Sequence, residues 1–269
     1  MATHGPDLEH QLADLGVRPG DLVMVHASMR AVGPVDGGAA EMVRTLCQLL
    51  GPTGTLAAYV SWADSSYDAT LNGRMLRESA RQAWPVFDPK TMRPYPGFGI
   101  LNQAIVDHPG AELSGNPDGC MAAIGDRAHW LVQNHPLDFG YGRGSPLEKI
   151  VDLGGKILLL GAPLDAVTIL HYAEAIADIP GKRQVRYEVP LLDEHGRKSW
   201  RKITEWDTNG ILDCYAADGQ ADAVEQITRD YVAEKEISPG RIGGAKCYLL
   251  DAREIVEFAV CWLESRHRD

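Results

Sequence analysis

A threonine, a histidine and a glutamate at three-residue spacing are the side chains that most directly suggest chemistry in this chain. Thr168, His171 and Glu174 follow an apolar run at 156–160. On a helix, residues three apart lie on one side and can contact one another. Glu174 could hold one ring nitrogen of His171 and leave the other as a neutral general base, since the helix N-terminus opposes protonation and the carboxylate favours it. A solvated His–Glu helix pair without a catalytic role explains this spacing about equally well.

Two strand-to-helix units are predicted to position these residues. Leu22–Val25 and 156–160 are short apolar runs, typical of parallel strands covered on both faces. The first leads to a helical pattern over 39–50, and the second to a helix for which Asp165 is the predicted N-cap. Ligands of open α/β sheets bind at the carboxyl ends of the strands. This setting favours the catalytic interpretation of His171.

The remaining pattern predicts an α/β fold, a layered parallel or mixed sheet with helices on both faces. A smaller antiparallel portion is expected in the C-terminal half, where the runs 185–191 and 198–204 flank a His195-Gly196 turn. We expect one domain, 1–269, with irregular loops around 62–100 and 205–220. Further helices are predicted at 8–15, 101–109, 126–134, 147–153, 221–233 and 251–266, and a further strand at 55–61.

Charge and composition limit the classes of partner. The chain of 269 residues carries 26 Lys and Arg against 37 Asp and Glu, for a net charge of −11. This balance argues against nucleic-acid binding, which needs clustered basic residues. An acidic chain would instead attract cations, although plain solubility explains a negative charge without any ligand. Neither a secretory leader nor an apolar run of about 18 residues is evident, so we expect no membrane association and a cytoplasmic protein.

The five cysteines are scattered, and their spacing predicts reduced thiols and no metal site. A monomer or a homodimer is expected.

An acidic and aromatic set of loop residues could form a cleft for a polyamine. Each residue taken alone is more often part of a solvated loop or an Asx turn. If the fold brings them together beside His171, carboxylates and aromatic faces would bind ammonium groups. The candidate substrate-binding residues are Trp62, Asp64, Tyr67, Asp207, Asn209, Asp213 and Glu225.

The loop after the first strand is a candidate anion site. Backbone N–H groups before a helix, together with one guanidinium, suit a pyrophosphate, although an ordinary strand-to-helix connection is commoner. His26, at the end of the strand, is either a core histidine or a site residue. The candidate residues of this loop are His26, Ser28, Met29, Arg30, Ala31 and Val32.

Several blocks in order give the chain a resemblance to the aminoglycoside 3-N-acetyltransferase family, which is distinct from the GCN5-related fold. Two residues depart from the family pattern: Leu113 stands where Arg is frequent, and Cys120 where Ser is frequent. The matching blocks are Val23–Ser28 with Arg30–Pro34, Gly51–Thr55, Ser114–Pro117, Ala122–Gly125, Tyr141-Gly142 with Ser145-Pro146, Leu160–Ala162 with Thr168–Glu174, and Arg229–Tyr231, to which a subclass adds Val60–Trp62, Trp206-Asp207 and Asn209–Asp213.

The resemblance implies acetyl transfer from acetyl-CoA to the 3-amino group of a 2-deoxystreptamine aminoglycoside, a reaction that confers antibiotic resistance. It further implies direct transfer without an acyl-enzyme, with His171 as general base and Glu174 as its orienting partner. Thr168 would contact the thioester carbonyl or CoA, and the loop at 28–32 would hold CoA. An aminoglycoside-sequestering protein and a CoA-dependent acyltransferase for another amine are the competing hypotheses. A hydrolase is disfavoured because no G-x-S-x-G motif is present.

Overall fold

Nine strands and eleven α-helices make up the part of the chain that the computed structural model describes, residues 3–208 and 222–266. The strands are β1 (Leu22–Ala27), β2 (Thr55–Tyr59), β3 (Glu112–Leu113), β4 (Met121–Gly125), β5 (Lys156–Leu160), β6 (Gln184–Leu192), β7 (Lys198–Trp206), β8 (Gly240–Ile242) and β9 (Ala245–Asp251). The helices are α1 (Gly5–Leu15), α2 (Met29–Val32), α3 (Gly38–Leu50), α4 (Tyr67–Thr70), α5 (Glu78–Ala83), α6 (Ile100–Val106), α7 (Ala128–Val132), α8 (Pro146–Asp152), α9 (Leu170–Ile176), α10 (Ala223–Glu234) and α11 (Ala252–Arg266). Short 3₁₀ helices span Leu71–Gly73, Pro96–Phe98 and Leu164–Ala166.

Seven strands form one mixed sheet in the order β3-β4-β2-β1-β5-β9-β8. β1 pairs parallel with β2 and β5, while β4 and β9 flank this parallel centre in antiparallel orientation. The carboxyl ends of β1 and β5 lie side by side, with His26 opposite Leu159 and Ala27 opposite Leu160. The strand order reverses at β1, which is where ligand crevices form in open α/β sheets.

The sheet separates two apolar cores, and alternate residues of each central strand face opposite cores. Leu22 and Met24 of β1 pack into one core, whereas Val23 and Val25 pack into the other, as the two-residue period of a strand requires. Helices α7 to α11 cover the first face, and α1, α3 and α6 cover the second. The predicted sheet with helices on both faces is confirmed.

The predicted antiparallel portion is confirmed as a separate sheet of β6 and β7. The strands are nine residues each and end at a turn where the Gly196 N–H donates to the Asp193 carbonyl. Gly196 has φ +72°, a left-handed conformation that favours glycine. A small core of Tyr187, Val189 and Ile203 lies beneath the hairpin.

Other boundaries differ from expectation. The helices expected at 101–109 and 126–134 are shorter, Ile100–Val106 and Ala128–Val132. Strands β3, β4, β8 and β9 were not predicted. β4 reads Met-Ala-Ala-Ile-Gly, and its small residues carry no β-branched or aromatic strand signal except Ile124. Region 62–100 is largely irregular, as expected, and contains the short helices α4 and α5.

Candidate active site

The turn after β5 brings the segment that carries His171 against the end of β1. Gly161 has φ +68°, and a Cβ at this position would lie 2.8 Å from the Cβ of Ala245 and 3.0 Å from that of Ala31. Only glycine fits this close approach without displacing its neighbours. The two strand ends and the loops that follow them therefore converge on one crevice.

The helix that carries His171 begins later than the sequence suggests. Asp165 was the predicted N-cap, and this is wrong: Asp165 lies in the 3₁₀ helix Leu164–Ala166, while α9 begins at Leu170 after Ile169, without a side-chain cap. The Thr168 N–H donates to the Ala166 carbonyl at 2.9 Å, so the chain turns tightly before α9 starts. Asp165 instead contributes to the wall of the crevice.

Thr168, His171 and Glu174 nevertheless lie in register at the start of α9. The His171 N–H donates to the Thr168 carbonyl at 3.0 Å, and His171 Nδ1 lies 3.0 Å from Glu174 Oε2. Because an ionised carboxylate only accepts, Nδ1 is the protonated ring nitrogen and Nε2 carries the free lone pair. Glu174 is almost wholly buried, with 1% of its side chain exposed, whereas the His171 side chain is 26% exposed. The Nδ1 side of the ring is thus held by the buried Glu174, while the rest of the ring faces the crevice.

The charges around His171 favour its protonated form. Burial of the ring lowers its pKa, but the charge and hydrogen bond of Glu174, with smaller contributions from Glu205 and Asp222, outweigh that effect. The pKa of His171 therefore lies above its ordinary value of 6.5. The ring is a stronger base than a free imidazole, and a larger share of it is protonated near neutral pH.

His26 faces the same crevice, but its pKa is shifted in the opposite direction to that of His171. Its Nε2 is buried and has no hydrogen-bond partner within residues 3–208 and 222–266. Burial, together with the charge of His171, lowers the pKa of His26 to about 4. His26 is therefore neutral at neutral pH and can offer one ring nitrogen to a ligand without competing for the proton that His171 takes.

The crevice consists of two connected lobes. The strand-end lobe, about 450 Å³, is lined by residues that include His26, Asn102, Thr168 and His171. The hairpin lobe, about 390 Å³, lies against β6 and β7. Tyr59 and Phe98 line both lobes, with ring centroids 5.2 Å apart. The lining of the hairpin lobe includes Trp62, Tyr67, Asp118, Tyr141, Tyr187 and Glu205.

Tyrosines connect the two lobes. The Tyr141 ring lies 5.3 Å from the His171 ring, and its hydroxyl is 2.9 Å from the Tyr59 hydroxyl. The Tyr59 hydroxyl donates to the Asp118 carbonyl at 2.8 Å, so Tyr59 must accept from Tyr141. Burial raises the pKa of Tyr59 to about 12 and that of Tyr141 well above 10. Both hydroxyls stay protonated and polar in the physiological range.

A family model described as aminoglycoside 3-N-acetyltransferase matches residues 24–264. The chain belongs to this family. Aminoglycoside N(3)-acetyltransferase III of Acinetobacter baumannii is 53% identical over 250 residues, which are 93% of this chain and 87% of the relative. The structure of AAC-VIa bound to sisomicin superimposes with a TM-score of 0.95 at 48% identity and covers all of both chains. The structure of AAC-IIIb with CoASH gives a TM-score of 0.92 at 39% identity, over 99% of this chain and 98% of that one.

Membership confirms the class of enzyme that the sequence predicted. The chain is an acetyltransferase for aminoglycosides, and acetyl-CoA is its acetyl donor. Among residues 3–208 and 222–266, no group of three His, Cys, Asp or Glu residues could hold a metal ion. Within the same ranges, no helix is long and apolar enough to cross a membrane.

The loop predicted to hold CoA forms the one-turn helix α2 beside the strand-end lobe of this acetyltransferase. The Ser28 side chain accepts from the Ala31 N–H at 3.3 Å and so caps α2. Val32 is buried in the core, Met29 packs against the same core, and Arg30 is exposed. Of the predicted cofactor residues, His26 lines the strand-end lobe, whereas residues 28–32 lie next to it.

Two of the predicted substrate residues line the hairpin lobe. Trp62 is buried and contacts Phe87 edge-on at 5.5 Å between ring centroids, but it still forms part of the wall. Tyr67 contacts Tyr187 edge-on at 4.8 Å between ring centroids, and both tyrosines line the lobe. Trp62 and Tyr67 thus belong to the same wall lining as Asp118.

The other predicted substrate residues lie elsewhere or are not described. Asp64 Oδ2 lies 3.9 Å from Arg93, and Asp207 Oδ2 lies 3.1 Å from Arg183; neither residue lines a lobe. Glu225 is in the first turn of α10, forms an ion pair with Arg229 and also lies outside the two lobes. Asn209 and Asp213 lie outside the described residues.

Sequence reasoning missed Asp118, one of the acidic residues that line the hairpin lobe. Asp118 is 9% exposed, and burial raises its pKa to about 6, although the hydroxyls of Ser65 and Tyr187 partly oppose this shift. Glu205 is 4% exposed, and burial raises its pKa to about 7 against the hydrogen bonds of backbone N–H groups. Asp118 lies in a run of turn-forming residues, Gly115–Gly119, so nothing local distinguishes it from a solvated turn residue.

A buried histidine fixes the loop of Asp118 to the loop of Tyr141. The Met121 N–H donates to Ser114 Oγ at 3.0 Å, and Ser114 Oγ lies 2.9 Å from His135 Nδ1. His135 Nε2 lies 2.7 Å from the Gly140 carbonyl, which can only accept, so the chain of bonds runs in one direction through a neutral ring. Burial lowers the pKa of His135 to about 4, in keeping with that neutral form. We call this chain of bonds the His135 clamp.

Proposed function

We propose that this chain transfers the acetyl group of acetyl-CoA directly to the 3-amino group of a 2-deoxystreptamine aminoglycoside, with His171 as general base. The observation that carries the proposal is the position of the His171 ring. It is held by Glu174 at Nδ1, is 26% exposed, lines the strand-end lobe, and lies 5.3 Å from the ring of Tyr141, which lines the acidic hairpin lobe.

The strand-end lobe suits the pantetheine arm and thioester of the donor. Its wall offers uncharged polar groups, including Asn102 and Thr168, and the buried Nε2 of His26 has no hydrogen-bond partner in the part of the chain that the structure describes. A neutral amide-containing chain would satisfy such groups. Helix α2 lies next to this lobe, where the exposed Arg30 could meet the phosphates of CoA. When bound, the donor supplies an acyl carbon that is open to attack.

The hairpin lobe suits the cationic acceptor. Asp68, Asp118 and Glu205 line it together with eight aromatic residues, and no Lys or Arg is among its described lining residues. Carboxylates and aromatic faces attract ammonium groups, and a net charge of −11 adds a long-range attraction. The asymmetry of the two lobes supports a ternary complex in which the amine reaches the junction from the acidic side.

A protonated amine has no lone pair, so transfer requires a base at the junction. His171 Nε2 takes the proton of the attacking nitrogen as the new N–C bond forms and the C–S bond breaks. Glu174 stabilises the resulting imidazolium through the Nδ1 hydrogen bond. The imidazolium is then an acid near the departing sulfur and can return the proton to it. Thr168, one turn before the base, is proposed to contact the thioester carbonyl or the CoA chain.

Thiol release from acetyl-CoA, measured with gentamicin-, kanamycin- and neomycin-type acceptors, tests this function. We expect release with at least one acceptor, and NMR of the product should place the acetyl group on the 3-nitrogen. An acceptor already acetylated at that nitrogen serves as the control and should release no thiol. Acetylation at a different nitrogen would refute the positional assignment. Aminoglycoside binding without CoA binding by calorimetry would instead support a sequestering protein.

A further inference from the structure

Lys182 binds the C-terminal end of the helix that carries His171. Helix α9 is only seven residues long, and a helix of this length depends on contacts outside itself. A lysine ammonium has three N–H donors. Those of Lys182 donate to three carbonyls at the end of α9, those of Glu174 at 2.9 Å, Ala175 at 2.9 Å and Ala177 at 2.7 Å. All three donors of the side chain are therefore used at the helix end.

The backbone leaves the carbonyl of Glu174 to this lysine. In a continuing helix, the Glu174 carbonyl would accept from the N–H of Asp178, four residues on. The Asp178 N–H instead donates to Glu264 Oε1 at 2.9 Å. Carbonyls at a helix end that lose their donor cost stability. The Lys182 ammonium thus takes the place of the next helical turn.

Glu174 is also the residue that orients the proposed base. Its Oε2 accepts from His171 Nδ1, while Oε1 is buried and has no hydrogen-bond partner within residues 3–208 and 222–266. The carboxylate therefore has few bonds of its own, and its position follows that of its backbone. A displacement of about 1 Å at a reacting group can cost about 10²-fold in rate. The bond from Lys182 to the Glu174 carbonyl is thus close enough to the base to affect it.

The charge of Lys182 is stabilised by its surroundings. The side chain is half-buried, and burial lowers its pKa. The negative charges of Asp178, Glu174 and Glu264 act in the opposite direction. The ammonium also lies 4.7 Å from the ring centroid of Trp206, at the end of β7, and an aromatic face stabilises a cation that has lost part of its water. A positive charge is therefore held close to the buried carboxylate of Glu174.

We infer that Lys182 is a positioning residue for the general base. Its ammonium completes the end of α9, and through the Glu174 backbone it keeps in place the carboxylate that orients His171. The inference rests on the proposed function for the role of His171. Lys182 is not among the described lining residues of either lobe, so its effect on the reaction passes through Glu174.

A second lysine of the chain provides a matched control. Lys198 is also half-buried, and its ammonium lies 5.8 Å from the ring centroid of Trp200. It donates to three carbonyls at the end of α5, those of Arg81, Gln82 and Trp84. Neither Lys198 nor any residue of α5 is among the described lining residues of the two lobes. A purely structural role for Lys182 predicts that the two lysines respond alike to substitution.

The test compares Lys182→Met with Lys198→Met by thiol release from acetyl-CoA. Methionine keeps much of the aliphatic stem and removes the ammonium. Both substitutions should lower Tm by a similar amount, roughly 4–8 °C, because each leaves three carbonyls without their donor. Only Lys182→Met should lower kcat, by roughly 10- to 100-fold. The KM for acetyl-CoA of both variants, and kcat of Lys198→Met, should stay within about twofold of the native values.

Rescue and a double-mutant cycle separate positioning from loss of stability. Lys182→Arg retains a cation that can bind the last carbonyls of a helix and should recover most of the lost kcat. In a Glu174→Gln background, Lys182→Met should cost less than about threefold in kcat, because the side chain through which it acts is already altered.

The Nδ1 proton of His171 gives a readout that does not depend on turnover. In protein with isotope-labelled histidine, NMR should show this proton exchanging with water roughly tenfold faster or more in Lys182→Met, but at the native rate in Lys198→Met. The signal is identified by its loss in His171→Ala. If Lys182→Met does not fold, Lys182→Gln supplies the same comparison.

Three results overturn the inference. They are native kcat with native Nδ1 exchange in Lys182→Met, equal losses of kcat in the two methionine variants, and an undiminished loss in the Glu174→Gln background. Failure of the proposed function is a separate result: His171→Ala then turns over near the native rate, while Nδ1 exchange still reports whether Lys182 holds the His171–Glu174 pair.

Discussion

Glu174→Gln tests whether the buried carboxylate acts on the reaction through His171. The substitution keeps the size of the side chain and a hydrogen-bond acceptor but removes the charge 3.0 Å from Nδ1. A hydrogen bond to a charged group contributes about 1.5–3 kcal/mol, and about 1.36 kcal/mol corresponds to a tenfold change in rate. If that stabilisation is realised in the imidazolium of the transition state, kcat should fall roughly 10- to 150-fold.

The pH dependence gives a second, independent readout of the same variant. Only the neutral ring is a base, so log kcat/KM of the native chain should rise with pH through a midpoint above 6.5, because Glu174, Glu205 and Asp222 together raise the pKa of His171. Glu174→Gln removes the largest of these favourable charges, so the midpoint should move to lower pH while the plateau falls. Initial rates of thiol release between about pH 5.5 and pH 9 measure both effects.

A double-mutant cycle decides whether the two residues act as a unit. In a His171→Ala background, Glu174→Gln should cause little further loss, because its only proposed route to the reaction is the imidazole. Melting temperatures of all four proteins show whether a variant is simply unfolded. An unshifted pH midpoint in Glu174→Gln, or the same fold loss with and without His171, would refute the proposed pairing.

Three further predictions concern the base, the buried acid of the hairpin lobe and the His135 clamp. His171→Ala should lower kcat by roughly 10²–10⁴-fold, and steady-state turnover near the native value would remove His171 from the role of base. The pKa of Glu205 is raised from 4.5 to about 7. The folded state therefore binds the proton of this carboxyl more tightly than the unfolded state does, and the protein loses up to about 3 kcal/mol of stability as pH rises between these values. Glu205→Gln should melt at a higher temperature than the native chain at pH 8 but not at pH 4, and the reverse order would contradict the assignment. His135→Ala leaves the O–H donor of Ser114 and the carbonyl of Gly140 without their partners and should cost about 2 kcal/mol, or about 4–8 °C in Tm. A variant that melts like the native chain would show that the His135 clamp does not contribute to stability.

The parallel centre of the fold was predictable because its strands are buried on both faces. β1 and β5 are continuous apolar runs, and the helix after each begins where a ligand crevice is expected. β4 and β9 were missed for a physical reason. β4 consists largely of alanine, and β9 mixes Lys246 and Asp251 with apolar residues, so neither has the composition of a covered strand. Their pairing with β2 and β5 comes from tertiary packing.

The candidate site was predictable where local spacing decides it. The His171–Glu174 contact follows from three-residue spacing on a helix, and it survives even though the predicted Asp165 cap is replaced by a 3₁₀ turn. Asp118 was not predictable in the same way. Asp118 reaches the crevice through long-range contacts to Ser65 and Tyr59, which are separated from it by more than fifty residues along the chain. No local pattern encodes such contacts.

The two lobes are carried by different parts of the fold. The strand-end lobe is built on the main sheet at the ends of β1 and β5, whereas the hairpin lobe depends on the separate β6–β7 sheet and the loop at 62–68. Under the proposed assignment of the lobes, substitutions on the hairpin change the acceptor side of the crevice and leave the thioester side intact. Acceptor range and acetyl transfer are then free to vary separately.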